Sequence, residues 1–204
     1  MINNNMSNLF KTLELEAFRA GITPRTKESR EWFRQKAQQL RRINRNQLMK
    51  SEELELRNRV GARGNLVGSM YMFIYDPKHK ETLPYYDAFP LVIVIGPAEG
   101  GFLGLNLHYL PPTLRARFLD SLLDITSNNK YDESTRFRLS YSLLKRAAKF
   151  KYFQPCIKHY LNSQVRSRFG LVPAPEWEIA TFLPAADWRK SSANKVYSDS
   201  RKMF

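Results

Sequence analysis

"FPLVIVIGPAEGGFLGLNLHYL", residues 89–110, is the stretch on which the fold turns. "FPLVIVIG" and "GFLGLNLHYL" are apolar and β-prone, and "PAEGG" between them has the length and glycines of a hairpin connection. Working outward, "MYMFIYD" (70–76) is a preceding strand, and Asp76-Pro77 ends it in a turn. The eleven residues "KHKETLPYYDA" (78–88) then form a loop, and "PAPEWEIATFLP" (173–184) is expected to return as a fourth strand carrying Trp177, Ile179 and Phe182. Four short strands with tight turns, flanked by helical patterns, predict an α+β fold. Its core would be a small curved antiparallel sheet, an SH3-like partial barrel, packed against N- and C-terminal basic helices.

The 204 residues carry 33 Lys and Arg against 19 Asp and Glu, a formal net charge of +14. Such an excess points first to nucleic acid, and after it to an anionic membrane surface or an acidic protein. Residues 19–63 hold +8 and residues 112–170 another +8, whereas the β-rich stretch 64–111 holds −2. The expected organisation is a basic helical region, 1–66, leading into a β core with C-terminal helices, 67–204, as one compact domain. A lone cysteine, Cys156, excludes an internal disulfide framework and is expected to be buried and inert. "MINNNMSNLFKTLELEAF" lacks the basic and apolar segments of a signal peptide, and no apolar run reaches the length of a membrane span.

In "TPRTKESREWFRQKAQQLRRINRNQL" (23–48), Thr26 and Ser29 are cap candidates for a helix to about Asn44. Trp32, Phe33, Leu40 and Ile43 share its apolar side. Lys27, Arg30, Arg34, Arg41 and Arg45 share the other, a basic ridge roughly 25 Å long that could meet several phosphates. "RNRVGARGN" (57–65) adds Arg59 and Arg63 in a glycine-rich loop after a helix capped near Ser51. "LPPTLRARFLDSLLD" (110–124) starts a helix at Pro112 or Thr113 with Leu114, Phe118 and Leu122 inward. "DESTRFRLSYSLLKRAAKFKYF" (132–153) gives another, capped near Asp132 or Ser134, with Leu139, Leu143 and Ala147 inward. Lys145, Arg146 and Lys149 form its basic cluster, followed by Phe150, Tyr152 and Phe153, aromatics that belong to the core more often than to a stacked base.

Asp76, His79 and Asp87 raise the question of a metal-dependent nuclease, but with Glu81 and Glu99 they show no ordered acid spacing. His108, expected on a strand, and His159, expected on a helix, are read as structural, so no metal site and no catalytic residue is assigned. Phosphate-binding and nucleophile motifs are missing, so no cofactor is expected. The 78–88 loop is instead expected to set strand geometry, to present Tyr85 and Tyr86, and to offer Lys78, His79 and Lys80 as possible contacts.

"YDPKHKETLPYYDAFPLVIVIG" (75–96), "GGFLGLNLHYLPPTLRARFLD" (100–120), and the tail with "PAPEWEIATFLP" and "NKVYSDSR" resemble the DNA end protector proteins of T-even-like tailed phages. The likeness is to the myovirus type of marine and cyanobacterial hosts and spans about residues 20–200. It implies a late, non-enzymatic virion protein that binds the termini of packaged linear DNA and shields them from host exonuclease. It also implies residence in the virion, and in the host cytoplasm during assembly and after injection. A structural head-completion, neck or baseplate protein contacting other head, neck or tail proteins is the alternative reading, and a metal-dependent nuclease the third.

Overall fold

The computed structural model describes residues 7–24, 26–40, 43, 45, 49, 67–126, 130, 133–149, 151–173 and 176–202. It is an α+β fold in which strands and helices meet over one main core. The strands are β1 (Met70–Met72), β2 (Tyr86–Asp87), β3 (Leu91–Ala98), β4 (Gly101–Asn106), β5 (Ile157–Leu161), β6 (Gly170–Val172) and β7 (Trp188–Arg189). β5, β4, β3, β1 and β6 lie side by side in that order, antiparallel throughout, and β2 pairs with β7 in a separate ribbon. The five-stranded sheet is open, with β5 and β6 at its edges, rather than a closed barrel.

The hairpin predicted at 89–110 forms β3 and β4, turning at Gly100 with φ +67. Such a φ suits glycine, which has no Cβ to clash. A bulge between Val94 and Gly96 interrupts the pairing, and bulges of this kind bend the strand that carries them. Alternation explains why "LVIVI" is apolar without interruption: Leu91 and Ile93 enter the main core, and Val92 and Val94 enter a second cluster on the opposite face. There Phe73 meets Tyr75, Phe102, Tyr160 and Phe169 edge-on, with ring centroids 5.0 to 6.1 Å apart, within the range of favourable aromatic pairs.

Six α-helices are described: α1 (Ser7–Arg19), α2 (Lys27–Gln39), α3 (Pro112–Thr126), α4 (Glu133–Lys149), α5 (Trp177–Phe182) and α6 (Ala193–Lys202). Phe10, Leu13 and Ala17 of α1 and Phe33 of α2 share the main core with Leu91, Leu107, Leu119, Leu144 and Ile179. Thr26 caps α2 as expected: its hydroxyl accepts from the Ser29 N–H at 3.1 Å and the Ser29 hydroxyl accepts from the Thr26 N–H at 3.1 Å. α2 ends at Gln39 rather than near Asn44, because Leu40 turns extended and Leu40 and Ile43 fold onto the core. α3 starts at Pro112 as predicted, with Phe118 and Leu122 buried, but Leu114 is exposed.

Three further expectations change. "PAPEWEIATFLP" holds a helix, α5, where a strand was predicted: Trp177, Glu178, Ile179, Ala180 and Thr181 are all buried, without the alternation of a half-exposed strand, and the Trp177 indole donates to the Val172 carbonyl at 2.9 Å. The short segment fits either period, and the returning strand is β6, just ahead of it. His159 lies on β5, not a helix: the 3-10 helix Lys151–Cys156 ends before it, and Tyr160 pairs with Phe102 across the sheet. His108 follows β4 in a 3-10 turn, Leu107–Tyr109, capped by the Asn106 side chain, so it is not on the strand itself.

β4 and β5 approach so closely at Gly101 that a Cβ there would sit 1.8 Å from the Tyr160 carbonyl oxygen. Gly101→Ala is therefore expected to cost about 3 kcal/mol, at the upper end of overpacking effects, and to lower the thermal midpoint by roughly 6–12 °C. Thermal unfolding followed by circular dichroism checks this, and an unchanged midpoint would contradict the β4–β5 register.

Candidate nucleic-acid interface

The ridge predicted along α2 is not one solvent face. Lys27 is exposed, but Arg30 is buried, with Nε 3.1 Å from Asp120 of α3, an ion pair off hydrogen-bond geometry. Arg34 is half-buried, pairs with Glu31 at 2.9 Å and lies 4.9 Å over the Phe182 ring. Ser29 donates from its hydroxyl to the buried Glu178 carboxylate at 3.1 Å, so this side of α2 packs against α5. Arg45 lies beyond the helix end, and its Nε and Nη2 donate to the carbonyls of Ala185 and Ala186 at 2.7 and 2.5 Å. Arg41, Arg59, Arg63, Ser51, Asp132 and Phe150 lie outside the described residues, as do the side chains of Leu139 and Tyr152.

The second cluster stays at the surface. Lys145, Arg146 and Lys149 are all exposed on α4, with Lys149 four and three residues after the adjacent other two, and Lys145 lies 4.5 Å over the Tyr141 ring. Phe153 packs on Phe118 with centroids 5.1 Å apart and so belongs to the core side. At the 78–83 turn, Lys78 and His79 are exposed, while Lys80 pairs with Asp76 at 2.9 Å. That pairing raises the Lys80 pKa. Lys190 holds the turn from beneath, donating to the carbonyls of Lys80 and Glu81 at 2.7 and 2.8 Å. Tyr85 packs near Tyr109 and Trp188 rather than facing outward.

The acids considered for a nuclease do not converge. Asp76 faces Lys80 and Arg166, and Asp87 is buried. Among the described residues no group of three or more His, Cys, Asp or Glu could hold a metal ion, and no helix is long and apolar enough to cross a membrane. Asp87 is a structural centre. It accepts from the N–H groups of Phe89 and Asp187 at 3.1 and 3.0 Å, from Asn106 Nδ2 at 3.2 Å and from His108 Nδ1 at 2.7 Å. Burial alone would raise its pKa, but His108 and the N–H groups of Asp187 and Phe89 hold it below the usual value. Burial dominates at His108 and lowers its pKa, so the ring is neutral, with Nδ1 protonated toward Asp87. Arg115, buried beside them, donates to the carbonyls of Thr181 and Leu110 and to the Tyr197 hydroxyl, at 2.9 to 3.2 Å. Cys156 is buried as expected, and its thiol is pushed up to about 12 by desolvation. The hydrogen-bonded role read for His108 holds, whereas its partner Asp87 and the internal use of Arg30 and Arg115 had no signal in local sequence.

The pattern of the family described as phage T4 terminal DNA protecting protein matches residues 5–203. The chain belongs to this family. The phage T4 terminal DNA protecting protein family thus accounts for nearly the whole chain, including both basic helical regions and the sheet between them. No curated protein and no solved structure matches the chain.

Both pKa shifts at the buried pair act in one direction. Relative to ordinary values of 3.8 for Asp and 6.5 for His, the unfolded chain takes up protons before the folded one. Stability therefore falls as pH drops below about 6.5, first through His108 and then through Asp87. Urea midpoints should decline steadily from about pH 7 to about pH 4, and His108→Gln should flatten the upper part of that range. Asp87→Ala, which orphans four donors, three of them buried, is expected to cost about 3–5 kcal/mol near neutral pH, measured in the same way.

Proposed function

We propose that the protein binds the ends of packaged linear phage DNA and shields them from host exonuclease by occupancy, without catalysing a reaction. Membership of the terminal DNA protecting family over residues 5–203 carries this reading. The charge supports it: a formal +14 favours a polyanion. Phosphate contacts are assigned to the exposed cations Lys27, Lys145, Arg146 and Lys149, with Lys78 and His79 at the tip of the pinned turn. Arg41, Arg59 and Arg63 complete the proposed set. Arg30 leaves it, since its guanidinium is spent on Asp120, and Arg34 and Lys80 contribute only what their ion pairs leave over. Residence in the virion, then in the host cytoplasm, follows from that role. The N-terminal helices share the main core with the sheet, which supports a single unit for DNA binding.

The test is binding of the purified protein to linear and covalently closed circular DNA of equal length across a salt series, followed by exonuclease challenge. Tight, salt-sensitive binding that blocks digestion from the ends is expected, and digestion at the unprotected rate would refute the proposal. Reversing Lys145, Arg146 and Lys149 together to Glu should lower the slope of log affinity against log salt by about 2–3, the worth of three phosphate contacts. Arg30→Ala should reduce stability and leave that slope unchanged.

A further inference from the structure

Beside β7 the surface opens into a cleft of about 400 Å³. Arg45 and Arg189 flank it, Asp187 lies between them, and Ile43, Ile74, Ala88 and Phe89 form an apolar wall. Arg45 is held rigidly by the two carbonyls of Ala185 and Ala186, which use Nε and Nη2. Its Nη1 stands 4.0 Å from Asp187, outside hydrogen-bond range. Arg189 donates to the other Asp187 oxygen at 2.9 Å, and its side chain is 56% exposed. Two guanidinium groups against one carboxylate leave a net positive site with donors still free, in the fork geometry that suits phosphate. The floor is fixed as well: the Ala88 N–H donates to the Asp187 carbonyl at 2.8 Å and the Asp187 N–H to buried Asp87.

The size is informative. Sites for small ligands run from about 300 to 1,000 Å³, so this cleft is too small for a duplex and suited to a single nucleotide. We propose that it receives the terminal nucleotide of linear DNA, with the terminal phosphomonoester on the guanidinium donors of Arg45 and Arg189 that Asp187 leaves unused and the sugar against Ile43, Ile74 and Ala88. This rests on the DNA-end reading above and adds the element that tells an end from the interior. A nucleotide inside an intact duplex is paired and stacked on both sides, and extracting it costs a few kcal/mol, least where pairing is already weak. Only a terminus reaches the cleft at small cost.

The experiment uses the full chain with linear duplexes carrying 5′-phosphate, 3′-phosphate or no terminal phosphate, and a closed circle of equal length. Arg189→Glu reverses one rim charge and Ala88→Leu fills the cleft without changing charge. Each is expected to reduce the ratio of linear to circular affinity about tenfold while circular affinity, set by the exposed cations, changes less than about twofold. Dephosphorylated ends should lose the same preference with the wild-type protein, and the two phosphorylated forms show which strand end is held. If both variants keep the wild-type ratio, or if dephosphorylated ends bind as well as phosphorylated ones, the cleft is not the terminus site and the end-binding reading stands. A wild-type protein with no preference for linear DNA overturns both.

Discussion

The carboxylate of Asp87 is the point on which separate parts of the chain depend. Its donors come from Phe89, Asn106, His108 and Asp187, so one buried group joins the entry to β3, the exit of β4 and the approach to β7. A buried carboxylate is expensive unless every lone pair is occupied, and here the donors converge from three segments that are far apart in sequence. Only the native arrangement supplies all of them at once. The same contacts set the 3-10 turn after β4, whose carbonyls receive Arg115, and Arg115 in turn reaches α5 and α6 through Thr181 and Tyr197. A polar centre therefore orders the helices on the main core side of the sheet, although apolar burial supplies most of the driving force.

The large positive charge is divided between two tasks. Arginines do much of the internal work: Arg30 bridges α2 to α3, Arg115 gathers carbonyls, and Arg45 ties the chain after α2 to the turn at Ala185. A planar guanidinium can satisfy several acceptors at once and is held less tightly by water than an ammonium, which suits it to these sites. Lysines mostly stay outside, as Lys27, Lys78, Lys145 and Lys149 do. Lys158 departs from this pattern, partly buried 4.1 Å over the Tyr109 ring, with its pKa lowered by that burial. Net charge alone thus overstates how much of the cation excess is free to meet a polyanion.

What could be read from the sequence depended on whether the cause was local. The β3–β4 hairpin, the Thr26 cap and the proline start of α3 are fixed by neighbouring residues, and all are where the sequence places them. α5 and β5 are short apolar segments in which helical and extended periods both fit, and tertiary contacts decide: Trp177 reaches Val172, and Tyr160 stacks on Phe102 with centroids 5.4 Å apart. Glu178 in the first turn was a usable signal for α5. For the site, exposure on α4 followed from spacing along one helix. The burial of Arg30 did not, because its partner Asp120 lies ninety residues later on an element whose position no local pattern gives.

A protein that guards DNA ends has to solve two problems that differ in range. Exposed lysines on helices act through a field extending about 10 Å at moderate salt, which concentrates the protein on any DNA but cannot distinguish an end from the middle. Discrimination needs short-range shape, and shape needs groups that do not move when DNA arrives. The cations on α4 are exposed, whereas Arg45 and the Asp187 backbone are fixed by hydrogen bonds to the 185–186 carbonyls and to Asp87. The buried polar centre and the surface cleft are consequently parts of one construction, in which the stability of the ribbon β2–β7 determines how well a terminus can be told from continuous duplex.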